Sequence, residues 1–127
     1  MVELLENIAR EIKEKVSGVQ VVWSRIPNAV SDIQGLVAIK IGKVTAETET
    51  SGKFVWRYRY DIRIEIWTRL DNVLRWYEVA SGVVNALNNK DLAESFTTLQ
   101  MLNMNFLEQR GEYLYGFIDF LTFKIGG

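Results

Sequence analysis

The sequence predicts an α+β fold: a mainly antiparallel β-sheet, two helices packed on one face, and a long projecting β-hairpin, in the order α-β-β-β-α-β-β. Three observations predict it. Two segments, around Leu4–Val16 and Val73–Leu87, repeat apolar residues at three-and-four spacing. The stretch Leu36–Trp67 alternates apolar and polar residues, with a break near Ser51-Gly52. The run Tyr113–Ile125 is apolar on both alternating sets for much of its length, as suits a central strand or one covered on both sides.

The first helix is expected over about residues 2–16. Leu4, Leu5, Ile8, Ala9, Ile12 and Val16 form its apolar side, Glu6, Arg10, Glu11, Lys13 and Glu14 the other. Ser17-Gly18 ends it, with lysines in the last turns. Val19–Trp23 is a short β-prone run. Ser24–Gly35, with the only proline at Pro27, reads as a loop. A second helix spans about Leu70–Asn88, capped by Thr68 or Asp71. Its stripe is Val73, Leu74, Tyr77, Ala80, Val83, Val84 and Leu87. Trp76 falls off that stripe, and Gly82 inside the helix implies close packing, expected against the sheet. Phe96–Glu108 is the next strand, with Leu102, Met104 and Phe106 on one face and Leu99, Met101 and Leu107 on the other. Glu108–Glu112 is the turn before the closing strand.

The hairpin carries the most information. Even positions of its second arm are apolar (Phe54, Trp56, Tyr58, Tyr60, Ile62, Ile64, Ile66), and odd ones are mostly charged (Arg57, Arg59, Asp61, Arg63, Glu65). With the turn at Ser51-Gly52, Ile62 faces Ile41, Ile64 faces Ile39 and Ile66 faces Val37; a one-residue slip would destroy that match. The same register sets Lys40 opposite Arg63 and Val44 opposite Arg59. An arm of about fifteen residues is roughly 50 Å long, against a gyration radius of about 14 Å for a chain of this size. Residues 42–60 are therefore expected to project. There Phe54, Trp56, Tyr58 and Tyr60, with Lys43, Thr45, Glu47 and Glu49 across from them, need cover that a neighbouring subunit would supply. Phe54, Trp56, Tyr58, Tyr60, Glu47 and Glu49 are the candidate subunit-interface residues. Arg57, Arg59, Arg63 and Asp61 are candidate lumen or intersubunit charges.

Composition narrows the chemistry. The 127 residues are 48% hydrophobic and 24% charged, the ordinary globular range, and one domain over 1–127 is expected. A net charge of -1 gives no general attraction to nucleic acid or to an acidic membrane. Without cysteine there are no disulfides or thiolate sites; without histidine the commonest general base and metal ligand are gone. No apolar run is long enough for an ordinary membrane span. The opening Met1-Val2-Glu3 lacks a secretory pattern, so synthesis in the cytoplasm is expected. Asp61 and Glu65 lie about 13 Å apart on one strand, too far for a paired acid–base site. Asp119, among Phe117, Leu121 and Phe123, reads as a half-buried carboxylate that could be catalytic, paired with an arginine at a subunit contact, or placed at a solvated sheet edge. Serines 17, 24, 31, 51, 81 and 95 have no histidine to activate them. No carboxylate cluster supports a magnesium site. No catalytic, cofactor-binding or metal residue is assigned, and no enzyme is expected.

The opening helix Leu4–Val16, the loop with Pro27, the ribbon ending Tyr60-Asp61-Ile62-Arg63-Ile64-Glu65-Ile66-Trp67, the helix from Asp71 and the closing Tyr113-Leu114-Tyr115-Gly116-Phe117-Ile118-Asp119-Phe120 together carry a resemblance. The chain resembles the tail terminator (tail-completion, tail-to-head joining) proteins of long-tailed bacteriophages, over nearly its full length. The resemblance implies a virion protein of the tail-head junction, assembled in the host cytoplasm. It implies a homohexameric ring on the last ring of the tail tube, which stops tube growth and offers a surface to the head connector or stopper. Its partners would be itself, the tube protein and the connector, with DNA only passing through, no membrane and no cofactor. The alternatives are another connector, head-completion or tube-like subunit, and a small nucleic-acid-binding module using Arg57, Arg59 and Arg63.

Overall fold

The computed structural model describes residues 2–23, 35–48, 55–105 and 107–125. The first helix, α1, spans Val2–Lys15, with Glu3 in its first turn and Lys13 and Lys15 in its last, charges that suit the helix dipole at each end. Strand β1 is Gln20–Trp23, β2 is Leu36–Thr48 and β3 is Val55–Arg69. Helix α2 spans Val73–Leu87, and β4 (Gln100–Met104), β5 (Glu108–Arg110) and β6 (Tyr113–Ile125) follow. The sheet runs β1-β2-β3-β6-β4, with β5 also paired to β6. Its pairs are antiparallel except β1–β2, which is parallel. The α+β class and the order of elements are as the sequence predicts.

Both helices cover one face of the sheet. Leu4, Ile8 and Ile12 of α1, Val79, Val83 and Leu87 of α2, and Val37, Ile39, Ile62, Ile64, Ile66, Ile118 and Phe120 of the sheet form one core. The pairs Ile41–Ile62, Ile39–Ile64 and Val37–Ile66 form as expected. Each isoleucine fully removed from water contributes roughly 1.5–3 kcal/mol, and a slipped register would expose the whole set.

Several expectations are corrected. The cap of α2 is Asn72, whose side chain accepts from the Arg75 amide at 3.1 Å. The buried side of α2 is Trp76, Val79, Ala80, Val83, Ala86 and Leu87, while Leu74 and Tyr77 are exposed. Apolar residues cover more than half of this helix, so spacing alone admits several rotations about its axis. Trp76 decides between them. Its indole donates to the Ile66 carbonyl at 3.1 Å, and its ring fills a notch at Gly116, where any Cβ would collide with it. Gly82 is likewise a point of close approach, but to Val16 at the end of α1 rather than to the sheet.

The predicted strand Phe96–Glu108 is two short strands with a break before Glu108, and Phe96 makes only a lone bridge to Lys124. Glu108–Arg110, expected in a turn, pairs with β6 as β5. A bulge between Met101 and Asn103 adds one residue, so Met101 faces Phe120 and Met104 faces Ile118, on the same side of the sheet. Phe106 lies outside the described residues. A second bulge, between Ile41 and Lys43, shifts the outer half of the β2–β3 hairpin by one. Val44 therefore faces Tyr60, Thr45 faces Arg59, Ala46 faces Tyr58 and Glu47 faces Arg57, not the partners that an unbroken register gives.

Candidate functional site

Of the expected interface residues, Phe54 and Glu49 lie outside the described residues, as does the turn at Ser51-Gly52. The others separate. Tyr60 packs edge-on against Phe96 of its own chain, ring centroids 5.1 Å apart, and joins the margin of the core. Tyr58 is half-buried. Trp56 stands at a bulge between the Glu47–Arg57 and Thr48–Val55 pairs, 42% exposed. Its ring lies 4.2 Å from the Arg57 guanidinium. Strand β6 runs beside β3 out to the Arg57–Ile125 pair, so the arm is a sheet strand for most of its length. Among the described residues, the apolar side chains left uncovered near its end are Val44, Ala46 and Trp56.

The opposite face of the sheet carries the charges. Alternation along β3 sends Arg57, Arg59, Asp61, Arg63 and Glu65 there. The β6 register sets Phe123 opposite Arg59, Leu121 opposite Asp61, Asp119 opposite Arg63 and Phe117 opposite Glu65. Each arginine has a carboxylate of its own chain. Arg63 donates two hydrogen bonds to Asp119, at 2.9 and 3.2 Å. Arg59 pairs with Asp61 at 2.8 Å, and Arg57 with Glu47. The guanidinium planes also roof the aromatic rings: Arg63 sits 3.6 Å from the Phe117 centroid, Arg57 3.9 Å from Phe123, and Arg110 3.8 Å from Tyr115. Here cation–π stacking supplies cover that neither α1 nor α2 supplies.

Glu65 anchors this face. It is only 5% exposed, and a buried carboxylate needs partners. Lys40 Nζ lies 2.5 Å from Oε1. That oxygen has no aligned hydrogen bond, so the pair holds by charge more than by direction. The Tyr115 hydroxyl donates to Oε2. Burial first, then that hydrogen bond to Glu65, raises the Tyr115 phenol far above its ordinary value. The hydrogen bond to Asp119 raises Arg63 above its ordinary value against the opposing effect of burial.

A cleft of about 440 Å³ opens on this face, lined by Lys40, Lys43, Asp61, Arg63, Glu65, Leu102 and Asp119 among others. Its three carboxylates are each held in an ion pair. Among the described residues no group of three or more carboxylates could hold a metal ion. Asp119 is paired with Arg63 of its own chain, not with an arginine across a subunit contact. Tyr115, Phe117 and Phe123 were missed because their role depends on the β6 register. The signal was present in the alternation of arginines on β3 and aromatics on β6.

No protein-family model matches the sequence, and no curated protein matches it. The fold is similar to that of a chain in the solved virion of the native gene transfer agent (GTA) particle, with a TM-score of 0.62 at 14% identity, covering 98% of this chain and 93% of that one.

Proposed function

We propose that the chain is a structural protein of a virion and, within it, a tail terminator: a ring, hexameric by family likeness, that caps the tail tube, ends its polymerisation and presents the attachment surface for the head connector. The observation that carries the reading is the end-to-end fold match to a chain of a gene transfer agent virion. The resemblance in element order and ribbon texture supports the narrower role. One ring face would match the tube end, and the other would lack the tube's self-complementary surface, so growth halts. The ion-paired carboxylates favour assembly over catalysis. Arg57, Arg59 and Arg63, each neutralised by a carboxylate, suit a wall past which DNA slides better than a site that grips it.

The test is to mix the protein with purified tail tubes and free tube protein and to follow the ends by electron microscopy. A terminator caps one end and stops elongation. Copolymerisation along the tube would instead identify a tube-like subunit. Binding to a head connector without binding to tubes would identify a head-completion protein. Salt-sensitive DNA binding by the isolated chain would favour the nucleic-acid-binding module.

A further inference from the structure

Strand β4 lies at the end of the strand order, beyond β6. Its sequence, Gln100-Met101-Leu102-Asn103-Met104, carries neither a charge nor a proline, and every residue in it is exposed. An uncharged, largely apolar edge offers its outer amides and carbonyls to another strand, and proteins ordinarily blunt such edges with lysine or proline. Here the chain does so with its own backbone and one asparagine side chain.

Residues of an antiparallel strand alternate between bonding to the partner strand and facing away from it. Leu99 and Met101 face away from β6. The Leu99 amide donates to the Lys90 carbonyl at 2.9 Å, and the Leu99 carbonyl accepts from the Asn89 amide at 2.8 Å. The Met101 amide donates to Asn88 Oδ1 at 3.0 Å. The segment directly after α2 thus fills three successive outward groups, as a neighbouring strand would. Past the bulge between Met101 and Asn103, the Asn105 amide donates to the Phe117 carbonyl, so alternation leaves Met104 as the outward residue there. One position is too short a run to seat a strand.

The two asparagines suit these places. Asn88 ends α2 with its own amide on the Val84 carbonyl at 2.9 Å, and its side chain reaches across to β4. Asn89 has a φ of 61°, a left-handed conformation that asparagine adopts more readily than most residues. The segment is also tied down from behind. Lys90 donates to the Leu87 carbonyl at 3.1 Å, Asn7 of α1 donates to the Leu92 carbonyl, and Ala93 and Phe96 are buried in the core. We infer that Asn88-Asn89-Lys90 is a guard on the β4 edge: by occupying the outward groups of Leu99 and Met101, it keeps the β4 edge of a second copy from adding to the sheet. The inference goes beyond the ring reading and does not rest on it.

The guard can be opened and then made unnecessary. Asn88→Ala removes the acceptor of the Met101 amide and is expected to speed hydrogen exchange there about tenfold, with Gln100, which faces β6, unchanged. Adding Asn89→Val, strained at a positive φ, is expected to free the Leu99 groups as well. The mean mass in solution should then rise about twofold over the parent at matched concentration, as two like edges pair. Met101→Pro in that background withdraws the outward N–H without removing a bond to β6, and is expected to return the mass to the parent's. Faster exchange at Leu99 and Met101 with the parent's mass would overturn the inference. So would unchanged exchange at both amides, or association that Met101→Pro leaves in place. If the double variant does not fold, Asn88→Ala with and without Met101→Pro carries the same comparison at raised concentration, and a mass equal to the parent's there overturns it.

Discussion

The two faces of the sheet are sealed by different physics, although one strand, β3, builds both. Its even residues Ile62, Ile64 and Ile66 are at most 1% exposed beneath two helices. Its odd residues Arg57, Arg59 and Arg63 lie over aromatic rings or beside carboxylates on the face that neither α1 nor α2 covers. The first seal is apolar and has no charge for salt to screen. The second is made of charges and a phenol, and responds to salt and pH. A chain of this size can thus keep one face of its sheet as a stability reserve and leave the other polar without exposing its aromatics.

The comparison can be broken most sharply at Trp76. Trp76→Ala empties the centre of the helix-covered face and is expected to cost about 3–5 kcal/mol in urea or thermal unfolding. A loss below about 1 kcal/mol would mean that the helices are not the main seal. The charged face should show itself through pH. The folded chain raises the Tyr115 phenol, so above the ordinary phenol value, about 10, the unfolded chain gives up its proton first. The stability associated with that proton is whole below about pH 10 and is lost as pH climbs toward the folded value. Tyr115→Phe is expected to flatten this alkaline loss, and at neutral pH to cost about 1–2 kcal/mol because buried Glu65 loses a donor. Urea midpoints of both proteins at neutral and strongly alkaline pH decide it; equal alkaline losses would sink the idea. The smallest effect on the subunit is expected at its outer end. Trp56→Ala should change unfolding by less than about 1 kcal/mol while weakening oligomerisation, and an unchanged mass distribution at matched concentration would count against that.

The legible parts of this fold were those where one period runs unbroken. The inner hairpin register and the bounds of α1 and β6 follow from their patterns. Bulges were not legible, because an added residue at Gly42 or Leu102 leaves composition untouched and reverses every face beyond it. This moved Glu47 from Trp56 to Arg57 and placed Met101 with Met104 on one side. The rotation of α2 was hidden by an excess of apolar residues, and only the notch at Gly116 selects Trp76. Arg63 and Asp119 were each noticed alone. Their bond depends on how β3 lies against β6, which neither strand records by itself.

β6 follows the other described strands of the sheet in chain order and yet holds the inner place between β3 and β4. A growing chain that stops short of Tyr113 has its long hairpin with one bare flank and nothing for β4 or β5 to join. Synthesis must therefore run ahead of sheet completion, and a shortened product would offer thirteen residues' worth of open backbone to the nearest stray strand. Premature termination in this protein should yield aggregates rather than smaller soluble domains.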